Sequence, residues 1–326
     1  MKVLVTGASG FLGSWLTRRL LSDGCDVRIL ARSGRAGEEL AGLRLDVATG
    51  DVTDPASLAA ATSGVDSVFH LAGLIAYSRR RRAEMERVNV DGTANVVAAC
   101  RAAGVRRLVH ASSVVAVGAS FDGRPLDEDS PYTVGHLNLG YFQTKRRAEE
   151  LVRAAAQAGH IDAVMVNPST VYGAGDARKG SRGLQVKVAR GRFPFYPPGG
   201  ASIVAVEDVI DAMIAAWQRG RSGERYILCG ENLLLRDIFA IIASEAGVRP
   251  PWIPLPRVAL FALGKAGDGL EAVGLKGPLN SETAWMAVLY HWFDAGKARR
   301  ELGFRPRPAA EALAASVRWM KEHGMA

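Results

Sequence analysis

The stretch that most constrains this chain is its first. An apolar strand over residues 2–6 runs straight into Gly7, Gly10 and Gly13 and then into a helix. Glycines at these places let the chain turn sharply, bring backbone up to a pyrophosphate with no Cβ between, and pack the helix close to the strand. The N–H groups of Phe11 and Leu12 then face phosphate at the positive end of the helix dipole. An amphipathic run (Phe11, Leu12, Trp15, Leu16, Leu20) and a second strand at 27–30 complete a βαβ unit, which predicts a bound dinucleotide.

Composition narrows the class. With 48% hydrophobic and 23% charged residues over 326 positions, the chain suits one large α/β unit or two lobes. Cys25, Cys100 and Cys229 are scattered without metal spacing, which argues against a disulfide framework or a metal site and fits a reducing cytoplasm. No export pattern is visible, and the apolar run at 258–264 is cut short by Lys265 and Asp268, well under the ~20 residues a bilayer span needs. The net charge is +8, and Arg79 to Arg82 form a basic run. Glu84 and Glu86 follow at once and no aromatic residue interleaves, so the run reads as a solvated helix start and not as a nucleic-acid contact.

Strands alternating with helical stretches predict an α/β, Rossmann-type, doubly wound parallel sheet over residues 1–170. Strands near 203–206 and 226–228, within 201–229, are expected to return to that sheet. The segments 171–200 and 230–326, irregular and punctuated by proline and aromatic residues, are expected to form a smaller substrate lobe. The second strand ends in Ala31 and Arg32 where a carboxylate would bind ribose hydroxyls, and an arginine there suits a 2′-phosphate. NADP is therefore expected over NAD, with a solvated surface charge as the alternative reading of Arg32. Asp51, with Val52, follows a third strand and is placed to meet the adenine amino group. The fourth strand, 67–71, closes on Leu71, Ala72 and Gly73, small enough in part to let backbone lie against the cofactor. His70 on that strand reads as a packed core histidine. A long helix is expected over 84–103, ended by Gly104. A fifth strand at 108–111 delivers Ser112 and Ser113.

Tyr141 and Lys145 stand four apart in a helical stretch and so share a face. An ammonium ~4 Å from a phenol, at an effective dielectric of ~20, favours the phenolate by ~4 kcal/mol. That is enough to bring a tyrosine from ~10 toward ~7 and let it exchange a proton with a substrate oxygen at neutral pH.

The glycine turn, the Ser112-Ser113 strand end and the Tyr141…Lys145 pair, in that order, resemble the extended short-chain dehydrogenase/reductase family over nearly the whole chain. Asn89 to Thr93, Asn167 to Gly173 and the Phe293 to Ala298 ending are similar to its signatures as well. The resemblance implies that Ser113 bonds the substrate oxygen, Tyr141 moves the proton, and Lys145 tunes Tyr141 and holds the nicotinamide ribose. Ser112 is the rival for the serine role. It also implies cofactor contacts from Pro168, besides the glycine turn and the strand ends already named.

The chain is most similar to the dihydroflavonol reductase-like group of that family. No arginine shortly precedes 203–206 to grip a substrate diphosphate, and Val114 and Val115 stand where dehydratases place an acidic pair. This implies an NADP(H)-dependent oxidoreductase that reduces an apolar ketone or aldehyde, or runs the reverse reaction. An NAD-retaining nucleotide-sugar epimerase and a non-catalytic NADP-binding sensor are the alternatives. Ile75, Tyr77, Val114, Val115, Tyr172, Phe193 and Tyr196 follow strand ends and are expected to line an apolar slot. A homodimer through the helices at 84–103 and 141–158 is expected from the resemblance.

Overall fold

The computed structural model describes residues 1–177, 182–275, 277 and 279–326. In chain order the first part contains β1 (Lys2–Thr6), α1 (Phe11–Ser22), β2 (Asp26–Ala31), β3 (Asp46–Thr49), α2 (Pro55–Thr62), β4 (Ser67–His70), α3 (Arg82–Met85), α4 (Gly92–Ala102), β5 (Arg107–Ala111), α5 (Gly140–Gln157) and β6 (Ala163–Pro168). The rest contains β7 (Thr170–Tyr172), α6 (Gly183–Ala189), β8 (Phe195–Tyr196), β9 (Gly200–Ala205), α7 (Val206–Arg219), β10 (Arg225–Leu228), β11 (Glu231–Leu234), α8 (Leu235–Ala246), β12 (Ile253–Pro254), α9 (Arg257–Ala272), α10 (Ser281–Val288), β13 (Tyr290–His291), α11 (Gly296–Leu302) and α12 (Ala309–Glu322).

A parallel sheet of order β10-β6-β5-β4-β1-β2-β3 forms the centre. Its inner strands are buried along almost their whole length, which is why they read as continuous apolar runs and not as alternating ones. One face packs α1, α7 and α11 through Leu16, Leu20, Val209 and Met213. The other packs α2, α4 and α5 through Leu58, Val96 and Val152.

One expectation needs correction and one a refinement. The strand near 203–206 does not return to this sheet: β9 lies in a second sheet, between β11 and β13, with β7 also paired to it. The edge beside β6 is taken by β10, so β9 finds its partners in the second lobe. The helix expected at 84–103 is present without a break, but it is not α-helical throughout. Between α3 and α4 the chain forms a π-helical turn, Glu86–Asp91, which turns Asn89 inward toward Leu74 and Thr144. Gly104 ends α4 as expected, with a positive φ of 67°.

Candidate active site

The glycine turn is a cradle that side chains would fill. Gly7 sits at φ 73°, and a Cβ there would lie 2.6 Å from the backbone nitrogen of Ala72; one at Gly13 would lie 2.1 Å from the Gly7 carbonyl oxygen. The ends of β1 and β4 and the start of α1 are thereby drawn together. No side chain caps the N-terminus of α1, where Gly10 is the capping residue, so the first-turn N–H groups of Phe11 and Leu12 are left for a ligand. The donor set fits a dinucleotide pyrophosphate.

Beside it, Thr6 Oγ1 meets His70 Nδ1 at 2.7 Å and the Ala72 nitrogen at 3.3 Å, and Thr93 Oγ1 closes the other side of the ring at 3.0 Å. Burial holds His70 neutral, with a pKa near about 3, as suits a core residue. Asn89 pins the loop beyond β4 by bonding both backbone groups of Leu74, at 2.7 and 2.9 Å, which sets Leu71, Ala72 and Gly73 along the cradle. Asp51 lies past β3, its carboxylate accepting from Thr53 N and Oγ1 at 2.8 Å each. Val52 is buried against α4, and its carbonyl accepts from the Asn95 side-chain amide. Arg32 is exposed just past the end of β2, within electrostatic range of Glu84. Pro168 closes β6 and is buried.

Ser113, Tyr141 and Lys145 converge at the carboxyl ends of β5 and β6. The Ser113 hydroxyl lies near enough to the Tyr141 phenol to favour its ionisation slightly. Lys145 Nζ, buried, donates to the Ala111 carbonyl at 2.8 Å. Asn167 donates to the Ser113 carbonyl at 3.0 Å and to Glu149 Oε2 at 2.5 Å, and Arg225 reaches Glu149 at 3.1 Å. Ser112 is buried and its Oγ has no hydrogen-bond partner among the described residues.

The expected tuning of Tyr141 is not found in the chain by itself. Burial raises its pKa, the neighbouring Tyr77 raises it further, and Ser113 offsets only part of this. The lysine ammonium points at Ala111 instead of the phenol, and burial brings Lys145 itself down to about 8, against a smaller upward pull from Glu149. Burial thus favours the phenol of Tyr141 over its phenolate.

The expected slot is only partly assembled. Tyr77 stands edge-on to Tyr141 at 5.9 Å between ring centroids, and Val115 packs with both. Ile75 is exposed at the rim. Val114 belongs to the core under the main sheet, while Tyr172, Phe193 and Tyr196 pack into the separate core of the second lobe with Phe239. That lobe has its own apolar interior to fill, which sequence spacing does not reveal. Arg182 lies 3.9 Å over the Tyr172 ring and within electrostatic range of Tyr77. Asn89, Asn167 and Arg182 were missed as site residues; the first two sit in recognised motifs, and only the π-turn and the strand end aim them inward.

The sequence model of the NAD dependent epimerase/dehydratase family matches residues 3–229. This chain belongs to that family. Within it, sterol demethylase protein B of Methylococcus capsulatus is 33% identical over the full length of both chains. A Synechocystis protein provisionally named a dihydroflavonol 4-reductase is 34% identical, covering 98% of this chain and 94% of its own. A farnesyl-dihydroquinoline-oxide ketoreductase of Stigmatella aurantiaca is 31% identical, over 94% and 92%. Among solved structures, that of gox2253 superposes with a TM-score of 0.87 at 35% identity, covering 99% and 98% of the two chains. The dTDP-glucose 4,6-dehydratase DesIV of Streptomyces venezuelae, solved with NAD, gives 0.80 at 26% identity, over 99% and 97%. As a member of the extended short-chain dehydrogenase/reductases, this family member is a nicotinamide-cofactor enzyme.

Proposed function

We propose that this protein is an NADP(H)-dependent reductase of an apolar ketone or aldehyde, with Ser113, Tyr141 and Lys145 as its catalytic residues. The observation that carries the reading is the placing of Ser113 beside Tyr141, a buried phenol whose ionisation burial disfavours. A carbonyl oxygen that becomes an alkoxide needs a proton donor in place, and a phenol whose ionisation burial disfavours is held in that form. Ser113 would orient the substrate oxygen toward the phenol. Lys145, one turn along α5, supplies a positive charge and donors suited to ribose hydroxyls. When bound, the nicotinamide supplies or takes the hydride. The phosphates are assigned to the turn from Gly7 to Gly13, the adenosine end to Arg32, Asp51 and Val52, and the nicotinamide side to Leu71, Ala72, Gly73 and Pro168.

Apolarity of the substrate is supported by Tyr77 and Val115 around Tyr141, and by relatives whose names specify a sterol and a farnesylated ketone. A nucleotide-sugar reading is supported by the fold of DesIV, but a diphosphate needs an available cation. Arg182 is committed to Asp176 at 3.3 Å, to the Val171 carbonyl and to the Tyr172 ring. The test is a panel of ketones, aldehydes and hydroxysteroids, followed by the absorbance of reduced nicotinamide, alongside UDP-sugars. NADPH consumption with an apolar carbonyl is expected; turnover of a nucleotide sugar with cofactor retained on the protein would replace this reading with the epimerase one.

A further inference from the structure

We propose that the outer face of α9 docks on an anionic lipid surface. The inner side of the helix is set by Leu260, Gly264 and Gly267, all buried. The two glycines let it lie directly on the start of α10: a Cβ at Gly264 would stand 3.1 Å from Ala284 Cβ, and one at Gly267 1.7 Å from the Leu279 oxygen. The outer side carries Val258, Leu263 and Leu270, exposed by 81%, 48% and 38%, with Val273 and Leu275 just beyond at 74% and 59%. Ala262, Ala266, Gly269 and Ala272, also exposed, fill the spaces between them. Single exposed aliphatic residues are ordinary, but a continuous apolar face on one helix marks an interaction surface.

The charges of this helix are sorted. Its acids turn inward: Asp268 accepts from Ser281 N at 3.0 Å and Oγ at 2.5 Å, and Glu271 accepts from Ser78 Oγ. Its cations, Arg257 and Lys265, remain exposed. The segment leading into the helix repeats the pattern, with Trp252 and Ile253 exposed and Arg249 stacked over the Trp252 ring at 4.2 Å. Aliphatic side chains in the middle, tryptophan at the border and cations as the exposed charges complement an acyl layer beneath negative headgroups. A second copy of the chain is a poorer occupant, because a two-fold contact lays the patch on itself and sets cation against cation.

The face is wired to the candidate site. Glu271 holds Ser78, Asn280 donates to the Tyr77 carbonyl, and Tyr77 stands against Tyr141. A substrate dissolved in the bilayer would enter beside Tyr77; that consequence rests on the reductase reading, whereas docking does not.

The experiment is flotation of the full-length protein with vesicles of phosphatidylcholine alone or mixed with phosphatidylglycerol. Binding to the mixed vesicles is expected, weakening as salt is raised. The double variant Val258→Asp, Val273→Asp should lower the partition coefficient by about tenfold or more, and Lys265→Glu by a few-fold. These residues are exposed, so thermal melting of each variant checks its fold. Failure of the wild type to float with the mixed vesicles, or equal flotation of the double variant, overturns the proposal. So does a wild-type dimer by light scattering that the double variant dissociates, which would give the face to a second copy. Flotation needs no turnover, so its outcome and that of the carbonyl panel are read separately.

Discussion

Asn167 donates its side-chain amide to the backbone carbonyl of Ser113 at 3.0 Å, tying the end of β6 to the serine that follows β5. The same amide serves Glu149, a buried carboxylate. Asn167→Ala should therefore let Ser113 drift and leave Glu149 short of a donor, at a cost of ~1.5–3 kcal/mol of stability. The expected kinetic result is a fall in kcat with the NADPH dissociation constant unchanged. Chemical denaturation together with steady-state kinetics checks both; equal loss of cofactor binding would make Asn167 a general structural residue.

Tyr141→Phe removes the proposed proton donor while keeping the ring that packs against Tyr77 and Val115. Turnover should drop by ~10²–10⁴-fold, the usual worth of general acid–base catalysis, with cofactor affinity nearly intact. Lys145→Ala should damage both. A Tyr141→Phe enzyme within tenfold of the wild type would remove Tyr141 from the mechanism.

Cofactor preference is predicted to rest on Arg32, exposed past the end of β2 with Ala31 where a carboxylate would select NAD. Arg32→Ala should weaken NADPH binding by ~1.5–3 kcal/mol and leave NADH nearly unaffected. Dissociation constants of both cofactors at fixed ionic strength decide it. Equal losses, or a wild type that prefers NADH, would reduce Arg32 to a surface charge.

Three buried histidines make the fold acid-sensitive. Burial lowers His70 to about 3 and His291 to about 4, and holds His110 well below its usual range. In the unfolded chain each takes up a proton below ~6.5, while in the folded chain it stays neutral. The unfolded state thus binds more protons, so their contribution is fully present above ~6.5 and is lost as pH falls toward 4. Where all three differ, stability should fall by about 4 kcal/mol per pH unit. Urea unfolding between pH 7 and 5 measures this, before most carboxylates titrate; a flat profile would mean the histidines are not buried neutral.

Much of this protein is decided locally and was legible in the sequence. Gly7, Gly10 and Gly13 dictate a turn, the apolar runs dictate strands covered on both faces, and an interval of four puts Tyr141 and Lys145 on one helical face, because these properties depend on neighbours within a turn or a strand. The tertiary structure decided the rest. Whether β9 joins the main sheet depends on β10 occupying the edge beside β6, a competition between distant segments. The inward turn of Asn89 depends on one π-helical turn, and the division of Tyr172, Phe193 and Tyr196 from Tyr141 depends on the second lobe having a core of its own. The direction of the Tyr141 shift was misread for the same reason. Spacing puts two side chains on one helical face, but the burial that raises the phenol and the turn of the Lys145 ammonium toward Ala111 are properties of the whole fold.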